Sequence, residues 1–265
     1  MRYFILAQQY NEDLLLPIFL RHYQQYVSED DIKIIDHGSS PSMKASGYDR
    51  IYVPRTQGFS EHNRLHGMRH IAASLLFYYD FGLIVDLDEL VNLDRIQELE
   101  LTSNQVYYVT GFETFYRQTE QGRRLRGFYN PNMCKPSVFK QLPNWTIGFH
   151  QCEYPVVHFK LPMAHIRFLD PSMATQRLNQ RFDIFHTMND DERRGGIATH
   201  WQRGTQDLKN FIDYCELTNF NVQTLNNQEL INLHKMHIND PGKFEFHYRY
   251  RPIEYDLTDL FPTLA

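Results

Sequence analysis

No apolar run in the chain approaches the ~20 residues that a membrane-spanning helix needs. Its three cysteines, Cys134, Cys152 and Cys215, have neither disulfide-framework nor zinc-ligand spacing. The first absence excludes a transmembrane segment of ordinary kind. The second points to a reducing cytoplasm, with peripheral attachment to a membrane as the variant. The apolar stretch from Met1 to Gln8 is too short for a secretory signal and reads as a buried strand. An excess of positive charge is also missing: the net charge of -5 gives no general attraction to nucleic acid. Internal repeats, low-complexity tracts and a clear interdomain linker are absent as well. What remains is a globular chain of 265 residues, 42% hydrophobic and 22% charged, within reach of one large α/β domain or two small ones. Its 19 Phe and 17 Tyr suit a large core, and equally a site that stacks bases and sugar rings.

The first hundred residues alternate strand and helix signals. Residues 2–8 read as a strand. Residues 12–26 read as a helix with an apolar stripe of Leu15, Leu16, Phe19, Leu20 and Tyr23. Ile32 to Ile35 reads as a second strand, closing on Asp36-His37-Gly38-Ser39-Ser40, and Arg50 to Pro54 as a short third. A helix is expected from about Ser60 to Tyr79, with Leu65, Met68, Ala72, Leu75, Leu76 and Tyr79 on one side. This alternation predicts a mainly parallel sheet with right-handed crossovers, whose ligand crevice lies outside the carboxyl ends of the strands. Polar clusters stand at three such ends: Asn11-Glu12, Asp36, and Asp86 with Asp88.

The last of these is the most informative. Gly82-Leu83-Ile84-Val85-Asp86-Leu87-Asp88-Glu89 is an apolar strand ending in two carboxylates two residues apart, on one face by strand alternation. Adjacent buried carboxylates need a compensating cation or proton. Mg²⁺, held by one or two carboxylates plus substrate phosphates, would supply it. An ordinary strand end with two solvated acids accounts for the same residues. Asp36 likewise reads as a simple turn around Gly38, or as an acceptor for the imide or ribose of a nucleotide.

Beyond residue 104 the pattern is less regular. Residues 105–117 form an aromatic strand, followed by a basic loop with Arg123, Arg124 and Arg126. Lys135 to Lys140 reads as a strand. Helices are expected from Pro171-Ser172 through Arg181 and over 207–218, and the last 25 or so residues as coil packed on the body. His150, His158 and His165 are not spaced as a compact metal signature, so packing or surface roles suit His150 and His158.

Taken together, Asn11-Glu12, Asp36-x-Gly38-Ser39, Gly58-(x)4-Asn63 opening a helix and Asp86-x-Asp88-Glu89-Leu90 resemble the family-2 type nucleotide-sugar glycosyltransferases, in the branch with an Asp-x-Asp-Glu motif. The resemblance covers residues 2–95 and continues more faintly through Lys135-Pro136 and His165-Ile166-Arg167. His37 and Pro41-Ser42 depart from the family's usual residues. The resemblance implies a GT-A type, Rossmann-like α/β fold, a mainly parallel sheet with helices on both faces. Residues 1–104 would bind the nucleotide sugar, and residues 105–265 would form the variable acceptor-binding half and C-terminal extension of one continuous domain. It implies transfer of a sugar from a nucleotide diphosphate to an acceptor hydroxyl with inversion, in glycan or polysaccharide assembly. The donor expected is a UDP-sugar, the acceptor a carbohydrate or glycolipid, the cofactor Mn²⁺ or Mg²⁺. By that likeness Asn11, Glu12, Asp36, Gly38, Asn63 and Asp86 bind the nucleotide sugar, while Asp86, Asp88 and His165 hold the metal. For the base that takes the acceptor proton, Glu113 comes first and Asp190 and Asp191 are the alternatives. Two other readings stay open: a metal-dependent nucleotidyltransferase, although residues 7–14 carry no Gly-rich basic phosphate loop, and a non-catalytic nucleotide-sugar-binding module.

Overall fold

The computed structural model describes residues 1–39, 50–53, 59–100, 102–157 and 161–195. In the C-terminal part it describes 209, 213, 222–226, 228–230, 232–233 and 253–264. The expected features at Ser40, Pro41-Ser42, Pro54, Gly58, His158, Cys215 and most of 207–218 lie outside these residues.

A large mixed sheet with helices forms the body. Its first part is parallel: β1 (Tyr3–Gln9), β2 (Ile32–Asp36), β3 (Arg50–Tyr52) and β4 (Phe81–Ile84) run in the order β3-β2-β1-β4. Side-chain alternation along β1 divides the core in two. Tyr3, Ile5 and Ala7 pack with Leu15, Leu16, Phe19 and Tyr23 of α1 (Leu15–Tyr23). Phe4 and Leu6 pack with Met68 and Ala72 of α2 (Glu61–Leu75) on the opposite face. One two-residue period thus recruits a helix to each side of the sheet. The Phe4 ring lies so close over Gly82 that a Cβ there would stand 2.3 Å from it, so any larger residue at this strand position would have to displace that buried ring.

The rest of the sheet is mostly antiparallel, which departs from the mainly parallel arrangement expected. Next to β4 comes β8 (Lys135–Phe139), then the long β6 (Val106–Thr119), β7 (Gly122–Tyr129), β12 (Glu254–Asp256) and β11 (Val222–Thr224). The pairs β4–β8, β8–β6, β6–β7 and β7–β12 are all antiparallel. The segment read as a basic loop is strand β7: Arg123 lies 3.4 Å from the centre of the Tyr116 ring, and Arg126 meets Asp256 at 2.7 Å. Within the stretch read as terminal coil, β12 is a paired strand.

Three shorter strands branch from this path. β5 (Glu89–Val91) pairs with β10 (Pro162–His165), β10 also pairs in parallel with β6, and β9 (Val156–Val157) pairs with β6. The helices α3 (Pro171–His186) and α4 (Asp190–Arg194) follow. Among the described residues, no helix is long and apolar enough to cross a membrane.

Candidate functional site

The parallel strands place the site. Because β1 lies between β2 and β4, the strand order reverses beside it, and a crevice opens there at the carboxyl ends. The carboxyl end of β1 and the residues after β1, β2 and β4 line one cavity: Gln9, Tyr10 and Glu12; His37; Asp86, Leu87 and Asp88. A second cavity is walled by Lys135, His150, His165 and Arg167. Glu61, Arg64, Asp86, Asp88 and Arg181 line both, so the two cavities adjoin at the Asp86/Asp88 pair.

Each carboxylate there has its own set of cations. Asp86 accepts from Lys135 Nζ at 2.9 Å and from Arg64 of α2. Asp88 Oδ2 accepts from Arg177 at 2.9 Å and Arg181 at 2.8 Å, both on α3, and lies 3.5 Å from His165 Nε2. Lys135 also pairs with Glu89, and Arg177 with Glu12. Burial alone would raise the Asp86 and Asp88 carboxyls. Arg64 then Lys135 outweigh it for Asp86, and Arg177 then His165 for Asp88, holding both well below the usual carboxylate range. For Glu12 the balance is reversed: burial raises it more than Arg177 lowers it.

His165 owes its surroundings to strand register. It stands opposite Glu113 of β6 on one side and Glu89 of β5 on the other. Its Nδ1 lies 3.0 Å from Glu113 Oε1, and Asn130 Nδ2 donates to the other carboxylate oxygen at 3.4 Å. Burial opposes the charge on both groups. Arg167 and His165 nevertheless bring the Glu113 carboxyl down to about 2, while Glu113 then Asp88 raise His165. Burial and the nearby Lys135 lower His150, facing the second cavity, to about 4.

The residues expected from sequence are thus only partly gathered. Glu12, Asp86, Asp88 and His165 line the cavities. Glu113 lines neither; it is 2% exposed and sits behind His165. Asp36 is fully buried and turned onto its own loop, accepting from the Ser39 amide at 2.8 Å and from Arg50 at 2.9 Å. Gly38, at φ 83°, makes that turn possible. Asn11 takes a left-handed conformation, φ 54°, between two residues that line the first cavity. Asn63 is exposed, and its amide donates at 3.1 Å to Ser60 Oγ, the cap of α2. Asp190 and Asp191 are exposed in the first turn of α4, outside both cavities.

The sequence reading missed Arg64, Arg177, Arg181 and Glu192. Arg177 and Arg181 stand one turn apart at helical spacing, on a side of α3 that also carries Ala174 and Ile184; charge interrupting an apolar stripe is the signal that could have found them. Glu192 accepts from Ser60 Oγ at 2.7 Å and from the Glu61 and His62 amides at 2.9 and 3.2 Å. It thereby fixes α4 to the positive end of α2.

Among the described residues, no three His, Cys, Asp or Glu side chains converge as a ready-made metal cage. Asp86 and Asp88 are carboxylates of the kind that Mn²⁺ or Mg²⁺ takes alongside phosphate and water, but here Arg64, Lys135, Arg177, Arg181 and His165 already hold them. The chain matches no protein-family model and no curated protein.

Proposed function

We propose that this protein is an inverting glycosyltransferase of GT-A type, moving a sugar from a nucleoside diphosphate to an acceptor hydroxyl. The observation that carries this reading is the meeting of two cavities at one carboxylate pair, at the carboxyl ends of parallel strands. The nucleoside would lie in the first cavity, against the turns after β1 and β2. The acceptor would enter the second, past Lys135, His150 and Arg167. The bond to be broken then lies at the junction, where Arg64, Lys135, Arg177 and Arg181 surround Asp86 and Asp88. Bound by those carboxylates, Mn²⁺ or Mg²⁺ would offset the charge of the leaving diphosphate.

Glu113 is the candidate carboxylate on the acceptor side, and it meets that side through His165 at 3.0 Å and Arg167 at 3.5 Å. Glu113→Gln keeps the shape and removes the basicity, so a base role predicts a loss of ~10²–10⁴ in turnover with donor binding intact. A loss below about tenfold would remove Glu113 from that role. Asp36, expected from sequence to accept from the imide or ribose of a nucleotide, is turned inward, so the nucleobase is a matter for a screen.

The deciding experiment measures thermal stabilisation by UDP, GDP, CDP and ADP with and without Mn²⁺, then hydrolysis or transfer from the matching nucleotide sugars. Stabilisation that needs Mn²⁺, together with release of the sugar, is expected. No stabilisation by any of the four, and no turnover of their sugars, would end the proposal.

A further inference from the structure

We propose that Arg177 and Arg181 of α3 form the clamp for the donor's diphosphate, turning from Asp88 to phosphate oxygens when the nucleotide binds. This rests on the donor site proposed above and assigns it two binding residues.

Position is the first argument. Arg181 lines both cavities and Arg177 the first, so a nucleotide with its base in the first cavity and its sugar in the second must pass its phosphates under this pair. Residues 177 and 181 share one side of the helix. That side is held against the strand ends by Gln180, whose Nε2 donates to the carbonyls of Tyr10 at 3.2 Å and Asn11 at 2.9 Å. The helix start is fixed too, since Asp170 accepts from the Met173 amide at 2.9 Å.

The second argument is that the guanidinium donors are incompletely matched. A guanidinium presents five N–H donors in a rigid fork suited to two oxygens at once. Arg177 is only 5% exposed, and its Nε is buried with no hydrogen-bond partner. Arg177 divides its two Nη groups between Glu12 Oε2 and Asp88 Oδ2, and Arg181 meets that same Asp88 oxygen, so neither forks over one carboxylate. A diphosphate, with two negative charges and several oxygens, offers the paired acceptors that Asp88 alone does not. The turn leaves Asp88 free for a divalent cation entering with the nucleotide.

A purely structural role makes a different prediction, because a pair that merely pins α3 would affect folding and leave diphosphate affinity alone. The test is calorimetric titration of wild type and Arg181→Met with UDP, GDP, CDP and ADP, with the corresponding nucleosides, and with inorganic pyrophosphate, all in Mg²⁺. Arg181 is the main target because its side chain keeps 18% exposure; Arg177→Lys replaces the fork by a point charge at the buried position. Thermal unfolding verifies that each variant is folded.

The expected result is a loss of about 10–100-fold in nucleoside diphosphate affinity for Arg181→Met, the range for a hydrogen bond to a charged group. Nucleoside affinity should be unchanged. Arg177→Lys should fall in the same direction. Nucleoside diphosphate affinity within twofold of wild type in Arg181→Met would overturn the clamp while leaving the donor site standing. If wild type binds none of the four nucleotides, the donor site falls, and pyrophosphate decides the clamp: binding that Arg181→Met loses keeps it, and no pyrophosphate binding removes it.

Discussion

Asp88 and Glu254 are both buried carboxylates, 3% and 0% exposed, and both are held by arginine. They differ in what surrounds the pair. Glu254 of β12 meets Arg117 of β6 through two contacts, Nε at 3.1 Å and Nη2 at 2.6 Å, within the antiparallel part of the sheet and beside neither cavity. Asp88 shares a single oxygen between two arginines, has His165 at 3.5 Å, and opens on both cavities. A two-pronged pair matches two donors to two acceptors; a crowded one beside open space keeps donors that a ligand can take. The two pairs are alike in burial of charge; they differ in the stoichiometry of the pairing and in access to a cavity, and the proposed site holds the crowded, open one.

Four measurements test whether the two pairs differ in this way. The largest effect expected is from Asp88→Asn, which keeps an acceptor but removes the charge. Turnover should fall at least 10³-fold, about 4 kcal/mol at 1.36 kcal/mol per decade. Steady-state rates within tenfold of wild type would erase the distinction.

Glu254→Gln should do the reverse. It leaves the Arg117 charge without its carboxylate and should cost about 3 kcal/mol, near the lower end for a removed buried partner, because the Arg117 side chain retains 15% exposure. Urea unfolding reads that loss, and turnover per folded molecule should be unaltered. A folded Glu254→Gln protein with turnover down more than tenfold would give this pair a role in the site.

The third measurement uses a histidine that lacks the carboxylate neighbours of His165. His22 of α1 is buried, with Nε2 2.9 Å from the Val91 carbonyl, and burial lowers it to about 4. The unfolded chain takes up this proton near pH 6.5 and the folded one only near 4. Stability is therefore lost as pH falls through that window, by at most about 1.4 kcal/mol per pH unit for one group. His22→Gln, which keeps a donor for Val91 but does not titrate, should flatten the slope between pH 6.5 and 4.5. An unchanged slope would place the proton uptake elsewhere, with half-buried His150, also lowered to about 4, the next histidine to examine.

The smallest effect should come from replacing Asp190 and Asp191 together by Ala. Both are exposed and outside the cavities, so stability should stay within about 0.5 kcal/mol, as for surface changes in general. Turnover should stay within twofold. A tenfold fall would restore one of them as a candidate base.

The order β1-α1-β2, the short β3, and α2 leading to β4 could be read directly, because side-chain periodicity is a local property and the runs are strongly patterned. The position of Asp86 and Asp88 at a strand end came from the same local signal. The sequence alone therefore carried the alternation of the first hundred residues and the two carboxylates at the mouth of the crevice. It did not determine the course of β7. Arg123, Arg124 and Arg126 read as loop because a strand edge that carries charge has no apolar alternation to reveal it; the aromatic ring of Tyr116 and the carboxylate of Asp256 make that strand possible. Nor could it decide that Glu113 would stand behind His165, that Asp36 would turn inward, or that Arg177 and Arg181 would reach Asp88 from 89 and 93 residues away. Those placements depend on register between distant strands and on the docking of α3. A buried ion pair is specified by two positions at once, and no single window of the chain contains both.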